Sequence, residues 1–267
     1  MRGRFLHRQP PPGSRVDTQH PLGHGCVGWW EMNAGPGSEV VADISGNDNH
    51  GTMTNMDAAT DWVQGRHGGE GALEFHTQYV NCGQFPAGTF TDSASISYWV
   101  YAISPSFNTN QYRSVIEFSL TGSSDDWLSH KGLTYSTALR YTRVGWGAPF
   151  SEGTWYHIAV TSTPESNGWR YYVNGTLSKS RAAVADLSAL GTWDVWIGRC
   201  NTGSSTTHDL VSAVSIYSRA LSASDIAWLY AEPYAPIWTP GERKWWWMGV
   251  TGAYYYDHIS RRIRGLV

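Results

Sequence analysis

The sequence is poor in the residues that staple a fold, insert it into a bilayer or charge its surface. It has three cysteines, Cys26, Cys82 and Cys200, far apart and without a CxxC pair. An odd number at such spacing argues against a disulfide framework or a zinc site and reads as buried free thiols, with one disulfide left open. No run approaches the roughly 18 apolar residues of a membrane helix. The opening MRGRFLHRQPPPG lacks the apolar centre of a secretory signal, so none is expected. Charged residues make up 15% of the chain and the net charge is −3, which gives no overall pull toward nucleic acid or an anionic membrane. Catalytic signatures are missing too. There is no G-x-S-x-G, no HExxH and no phosphate loop ending in Lys and Ser/Thr. A glycosidase needs two carboxylates facing one sugar. Glu117 has no acid two residues away on its strand, and Asp125-Asp126 lies in a Ser/Gly-rich loop. The expectation is a protein that is not an enzyme.

Glycine and large aromatics are plentiful, with 29 Gly, 15 Trp and 15 Tyr. That mix suits many short strands, tight turns and an aromatic-filled sandwich. Strand signals begin at Cys26-Val27-Gly28-Trp29-Trp30 and continue at Leu73-Glu74-Phe75 and Tyr79 to Cys82. In Ser93 to Ala102, Ile96, Tyr98 and Val100 share one face and Ser95, Ser97, Trp99 and Tyr101 the other. Trp155 to Thr161 alternates likewise, and His157 reads as a core residue. Asn174-Gly175 between apolar runs predicts a type I′ hairpin, a better reading than a glycosylation sequon at Asn174-Gly175-Thr176. One helix is expected after Ser222, with Asp225 completing a capping box, Leu221 and Ile226 as a hydrophobic staple, and Glu232-Pro233 as the stop.

The stretch DISGNDNHGTM, Asp43 to Met53, packs turn formers and oxygen donors together. As a turn it uses Gly46 and Gly51 for unusual backbone angles and Asn and Asp for side-chain-to-backbone bonds. As a metal loop it offers the oxygens of Asp43, Asn47, Asp48 and Asn49.

Seven segments, in order, resemble the laminin-G-like, concanavalin A-like jelly rolls. They are Gly28-Trp29-Trp30; DISGNDNHGT; Ala72 to Phe75 with Tyr79-Val80; Ile96 to Val100; Gly153 to Ala159; Tyr172 to Gly175 with Trp196-Ile197-Gly198-Arg199; and Val214 to Ile226. The resemblance covers roughly 22–231. It implies an all-β fold: a two-sheet antiparallel jelly-roll sandwich with six or seven strands per sheet and one short C-terminal helix. In relatives that bind calcium, the aspartate matching Asp43 joins a carboxylate just before the Val-x-Ile-Tyr strand. Here those positions are Ser212 and Ala213, which weakens the implied Ca2+ site. Asp43 and Asn49 remain its candidate ligands, with Asp209 as a substitute.

The ends read differently from the body. Residues 1–21 are basic and proline-bearing and are expected to form a flexible arm. Residues 232–267 carry Trp238, Trp245, Trp246, Trp247, Tyr254, Tyr255 and Tyr256, too much apolar area for a solvated tail. They are expected to form a docking extension for other subunits or a second copy, with packing on their own domain and ligand stacking as alternatives. The basic arm, the His20-Pro21-Leu22-Gly23-His24-Gly25 entry, the jelly roll and the Tyr230 to Tyr234 exit together resemble virion-associated proteins of tailed bacteriophages. That layout implies a non-catalytic capsid decoration or tail component located in the virion, self-associating and displaying a glycan-binding or adhesive face. The alternative is a stand-alone, lectin-like carbohydrate-binding module, with or without assistance from calcium, and behind it a glycoside hydrolase. Loops 121–130 and 201–209 are candidate binding edges.

Overall fold

A computed structural model describes residues 9–67, 69–76, 78–103, 114–120, 126–131, 136–139, 142–145, 151–166, 168–181, 192–199 and 209–238. In chain order the strands are β1 (Arg15–Val16), β2 (Cys26–Trp30), β3 (Val40–Val41), β4 (Gly51–Thr54), β5 (Trp62–Gln64), β6 (Gly71–Glu74), β7 (Tyr79–Phe85), β8 (Ala94–Ala102) and β9 (Ser114–Leu120). There follow β10 (Asp126–Lys131), β11 (Ser136–Leu139), β12 (Thr142–Gly145), β13 (Trp155–Ser162), β14 (Trp169–Val173), β15 (Thr176–Arg181), β16 (Trp193–Ile197) and β17 (Asp209–Tyr217). The helix α1 (Ala223–Ala231) and β18 (Ile237–Trp238) complete the described chain.

Apart from the short β1–β18 pair, the described strands form two antiparallel sheets. The first runs β12-β11-β10-β9-β16-β7-β4-β3 and the second β15-β14-β13-β8-β17-β6-β5, with β2 also paired to β17. Among the described residues each therefore has eight strands rather than the six or seven implied by the resemblance. In the second sheet the extra strand adds no width. β6 pairs with Leu210 and Val211, β2 with Val214 to Tyr217, so they share one edge of β17 end to end. A bulge between Ser212 and Ser215, with Ala213 at φ 49°, separates the two pairings.

The period-2 alternation places the core as read. Ile96, Tyr98 and Val100 of β8 meet Ile158 and Val160 of β13, and from the first sheet Val80, Ile116, Val195 and Ile197, between the sheets. A second apolar cluster covers the outer face of the second sheet. There Ala159, Tyr172 and Tyr217 lie under Leu221, Ile226 and Leu229 of the helix region. Ser222 and Asp225 form the capping box, and Leu221 and Ile226 are both buried. Asn174 (φ 49°) and Gly175 (φ 77°) form the β14–β15 turn, and the Asn174 side chain accepts the His157 amide at 2.9 Å.

The ends of the described chain correct two expectations. Residues 9–21, read as a flexible arm, are docked. Gln9 bonds to Gly71 and Glu31, Asn33 donates to the Pro10 carbonyl at 2.7 Å, and Val16 is buried. Residues 232–238, read as an extension, continue the same cluster through Tyr234, Ala235 and Ile237, and β18 pairs with β1. The reason is mutual: Val16 and Leu22 find their apolar partners some two hundred residues away, beyond any local window. The arm's residues 1–8 lie outside the described residues. Of the two loops read as binding edges, Asp126 to His130 belong to β10 and Asp209 to β17, and the rest lie outside them.

Candidate functional site

The DISGN loop resolves into a hydrogen-bonded turn centred on Asp43. Its Oδ1 accepts from the amides of Trp29 at 2.9 Å and Ser45 at 2.8 Å. Its Oδ2 accepts from the Ser45 hydroxyl at 2.8 Å and the Asn49 amide at 3.0 Å. The side-chain amide of Asn49 donates to the Val27 carbonyl at 2.9 Å, and the Asn49 backbone carbonyl accepts the Trp30 indole N–H at 2.9 Å. His50 Nδ1 accepts the Asp43 amide at 3.0 Å. Asp48 (φ 58°) and Gly46 (φ 94°) turn the backbone.

This arrangement does not fit a calcium ion. Calcium needs six to eight oxygens with free lone pairs, carboxylates among them. Both Asp43 oxygens already face two donors each, and a cation would meet N–H groups. Ser212, where calcium-binding relatives carry an acid, donates to the Gly71 carbonyl at 3.1 Å, and Ala213 brings no ligand. Among the described residues there is no group of three or more His, Cys, Asp or Glu placed to hold a metal. Asp43 and Asn49 thus tie the loop to β2.

Of the aromatic residues read as an interface, Trp238 lies in β18 with its backbone paired to Arg15. Trp245, Trp246, Trp247, Tyr254, Tyr255 and Tyr256 lie outside the described residues. Cys26 and Cys82 are buried free thiols whose pKa burial pushes up. His157 is buried as expected, 2.8 Å from the Ser97 hydroxyl, and burial holds its pKa down to about 3.

A different region gathers aromatic and planar polar side chains. On the outer face of the first sheet the pairing aligns Val40, Thr52, Asn81, Trp196 and Glu117 in one row across five strands. Trp193, Val195 and Ile197 of β16 point into the core, so Trp196 and Asp194 stand on the opposite, solvent side. Arg199 lies over the Tyr79 ring at 4.4 Å and the Trp196 ring at 5.6 Å. Such contacts fix the ring planes. Gly198 makes that turn feasible. Its φ is 90°, and a Cβ there would come within 2.3 Å of the Phe75 ring. Gln84 donates to Asp194 at 2.8 Å, and Thr52, Asn81 and Gln84 are exposed.

The result is a fixed, half-buried aromatic platform ringed by planar polar groups. A tryptophan face attracts the polarised C–H face of a sugar ring, and amides and carboxylates bond its hydroxyls. Sequence reading missed this row. The signal was present in Trp193-Asp194-Val195-Trp196-Ile197, where one tryptophan falls on the polar phase of the strand. Its neighbours from β4 and β7 become visible only through the strand order.

No curated protein matches the chain in sequence. Solved structures do match in fold. A Trypanosoma rangeli sialidase bound to a difluoro-KDN ligand aligns with a TM-score of 0.57 at 15% identity, over 79% of this chain and 33% of the sialidase. This chain therefore spans about a third of that enzyme. Domain 4 of the GH43 extracellular arabinanase AbnA from Geobacillus stearothermophilus, in complex with arabinotriose, aligns with a TM-score of 0.58 at 15% identity, over 77% of this chain and 98% of the domain. The binding domain of Paraclostridial Mosquitocidal Protein 1 aligns with a TM-score of 0.54 at 14% identity, over 80% of this chain and 53% of the other. At these identities the likeness is one of fold. The sequence profile of the concanavalin A-like lectin/glucanases superfamily, of laminin-G type, matches residues 75–227, more than half of the chain, and the chain belongs to that superfamily.

Proposed function

We propose that this protein is a non-catalytic, glycan-binding jelly-roll component of a virus particle, a capsid decoration or tail part. The outer face of its first sheet makes the adhesive contact, and its C-terminal extension joins neighbouring subunits. The observation that carries the binding role is the row Thr52–Asn81–Trp196, with Tyr79 and Arg199 beside it, left solvent-facing on a sandwich whose other outer face is largely covered. The fold of the arabinotriose-bound arabinanase domain agrees with it. The virion role rests on the sequence layout. The entry motif around His20 packs on the closing strand-to-helix segment, and Leu22 and Tyr234 share one apolar cluster. His20 contacts the Trp228 ring at 4.9 Å, and Arg219 donates to the carbonyls of Pro21 and His24 at 2.8 Å.

The test is retention of the full chain on immobilised neutral and acidic polysaccharides, with Trp196→Ala as the comparison and reducing-sugar release measured in parallel. Retention that Trp196→Ala weakens at least about tenfold, without sugar release, supports the reading. Strand register sets Glu117 and Asp194 two positions apart on adjacent strands, so sugar release would point to the hydrolase alternative. Light scattering on the full chain and on a chain ending at Trp238 tests assembly. A defined oligomer that truncation converts to a monomer supports it, and two monomers contradict it. The cut belongs after Trp238 because Tyr234 and Ile237 are buried in the domain.

A further inference from the structure

A cavity of about 480 Å³ opens on the second sheet, on the side of the sandwich opposite the Trp196 row. Trp99 of β8, Trp155 of β13 and Tyr230 of α1 line it, and Arg66, His67 and Glu70 from the β5–β6 connection complete it. Trp99 and Trp155 come from the outward phase of their strands, in register one step apart: Trp99 pairs with His157 and Tyr101 with Trp155. The Trp99 and Tyr230 rings stack at 5.7 Å with 22° between planes. Tyr230 is 40% exposed.

The polar wall is built rather than incidental. The Arg66 guanidinium stacks 3.9 Å over the Trp99 ring and donates to the Tyr234 hydroxyl at 2.8 Å. Tyr234 donates in turn to Glu70 Oε1 at 3.1 Å. Arg66 Nε stands 3.3 Å from Glu70 Oε2, with the two side chains 4% and 2% exposed, yet neither atom has a hydrogen bond. Charge is thus balanced inside the wall, while an acceptor oxygen of a side chain more than nine-tenths buried lacks a donor.

We infer that this cavity is a second carbohydrate subsite, taking one or two neutral pyranose residues, so that the module carries glycan sites on both outer faces. Aromatic walls offer ring faces to sugar C–H groups. A wall whose ion pair is internally neutral favours a polyhydroxylated ligand over a charged one, because a buried net charge would be left unpaired. The volume lies in the ordinary range for small-ligand pockets. The inference deepens the glycan reading but rests on a different face and different residues.

The experiment is titration calorimetry of the full chain with the methyl glycosides of glucose, galactose, mannose and N-acetylglucosamine, and with a methyl glucuronide. At least one neutral glycoside should bind, and more tightly than the glucuronide. Trp155→Ala and Tyr230→Ala should each weaken it about tenfold or more, Tyr230→Phe should retain it, and Trp196→Ala should change it less than about twofold. A photoreactive neutral glycoside on the unmodified chain reads the same site without mutation and should label peptides from 151–166 or 223–238. The inference is overturned if no neutral glycoside binds, if Trp196→Ala alone abolishes binding, or if label falls on β7 and β16. It is overturned too if glycosides bind only after truncation at Trp238, which would make the cavity the seat of the chain's own aromatic extension. Failure of the sheet-face reading shows separately, as polysaccharide retention unchanged by Trp196→Ala.

Discussion

The two outer faces of the sandwich are built from the same period-2 strands and treated oppositely. On the second sheet the outward phase is buried, with Trp99, Ala159, Tyr172 and Tyr217 beside the small or bonded polar groups Ser95, Ser97 and His157. Helix α1, the N-terminal segment and residues 232–237 cover much of that face, leaving the aromatic cavity at one end. On the first sheet the outward phase is Thr52, Asn81, Asp194 and Trp196, and among the described residues it stays open. One face is largely buried because folding covers it. Among the described residues the other keeps Trp196 and Tyr79 among polar groups, aromatic area that folding leaves partly exposed. That pairing of Trp196 and Tyr79 with Arg199 is the feature on which the proposed binding role rests.

That contrast can be broken most severely at the covered face. Ile226→Ala removes a fully buried side chain from the outer cluster and should cost about 2–5 kcal/mol, read by denaturant unfolding. Asp43→Ala comes next. It strands four donors inside the loop and should cost about 3 kcal/mol. Because these donors and not a cation fill the carboxylate, calcium and chelators should leave the melting temperature of the unmodified chain in place.

A pH series sharpens the comparison through the charges beneath the covered segments. Glu31 lies buried beside Arg66 and Glu70, with Oε1 accepting the Trp29 indole N–H. Burial pushes its pKa up from 4.5 to about 8. Its protonated form therefore contributes stability that is full below pH 4.5 and lost as the pH rises through 8. His157 runs the other way. Burial lowers its pKa from 6.5 to about 3, so its contribution is full above pH 6.5 and lost as the pH falls through 3. The two slopes oppose between pH 4.5 and 6.5, which predicts a plateau there and a fall toward pH 8. Glu31→Gln should abolish that alkaline fall in thermal melts.

Smaller effects follow at the hairpin and at the open face. Gly175→Ala sets a side chain at φ 77°, with its Cβ 3.0 Å from Tyr230, and should cost about 1 kcal/mol. Trp196→Ala should change stability by no more than about 1 kcal/mol while it removes glycan binding.

Legibility in the sequence followed the range of the interactions. The Asn174-Gly175 turn and the Ser222–Asp225 box are local, and both stood in the sequence. So did the two-faced alternation of Ile96 to Tyr101. The docking of Val16 on Ile237 did not, because the partners are distant and each segment alone reads as polar or proline-broken. The DISGN stretch showed the right atoms but not their direction. Only the fold reveals that backbone amides converge on Asp43. The Trp196 row and the Arg66–Glu70 wall were hidden for one shared reason: each is assembled across strands whose order the sequence does not state.

The most direct test of the account is hydroxyl-radical footprinting of the full chain with and without the polysaccharide that retains it. The account predicts that Trp196 and Tyr79 are protected from oxidation when ligand is bound. Unchanged oxidation of both, with the polysaccharide demonstrably bound, would contradict the claim that the open face of the first sheet is the binding face.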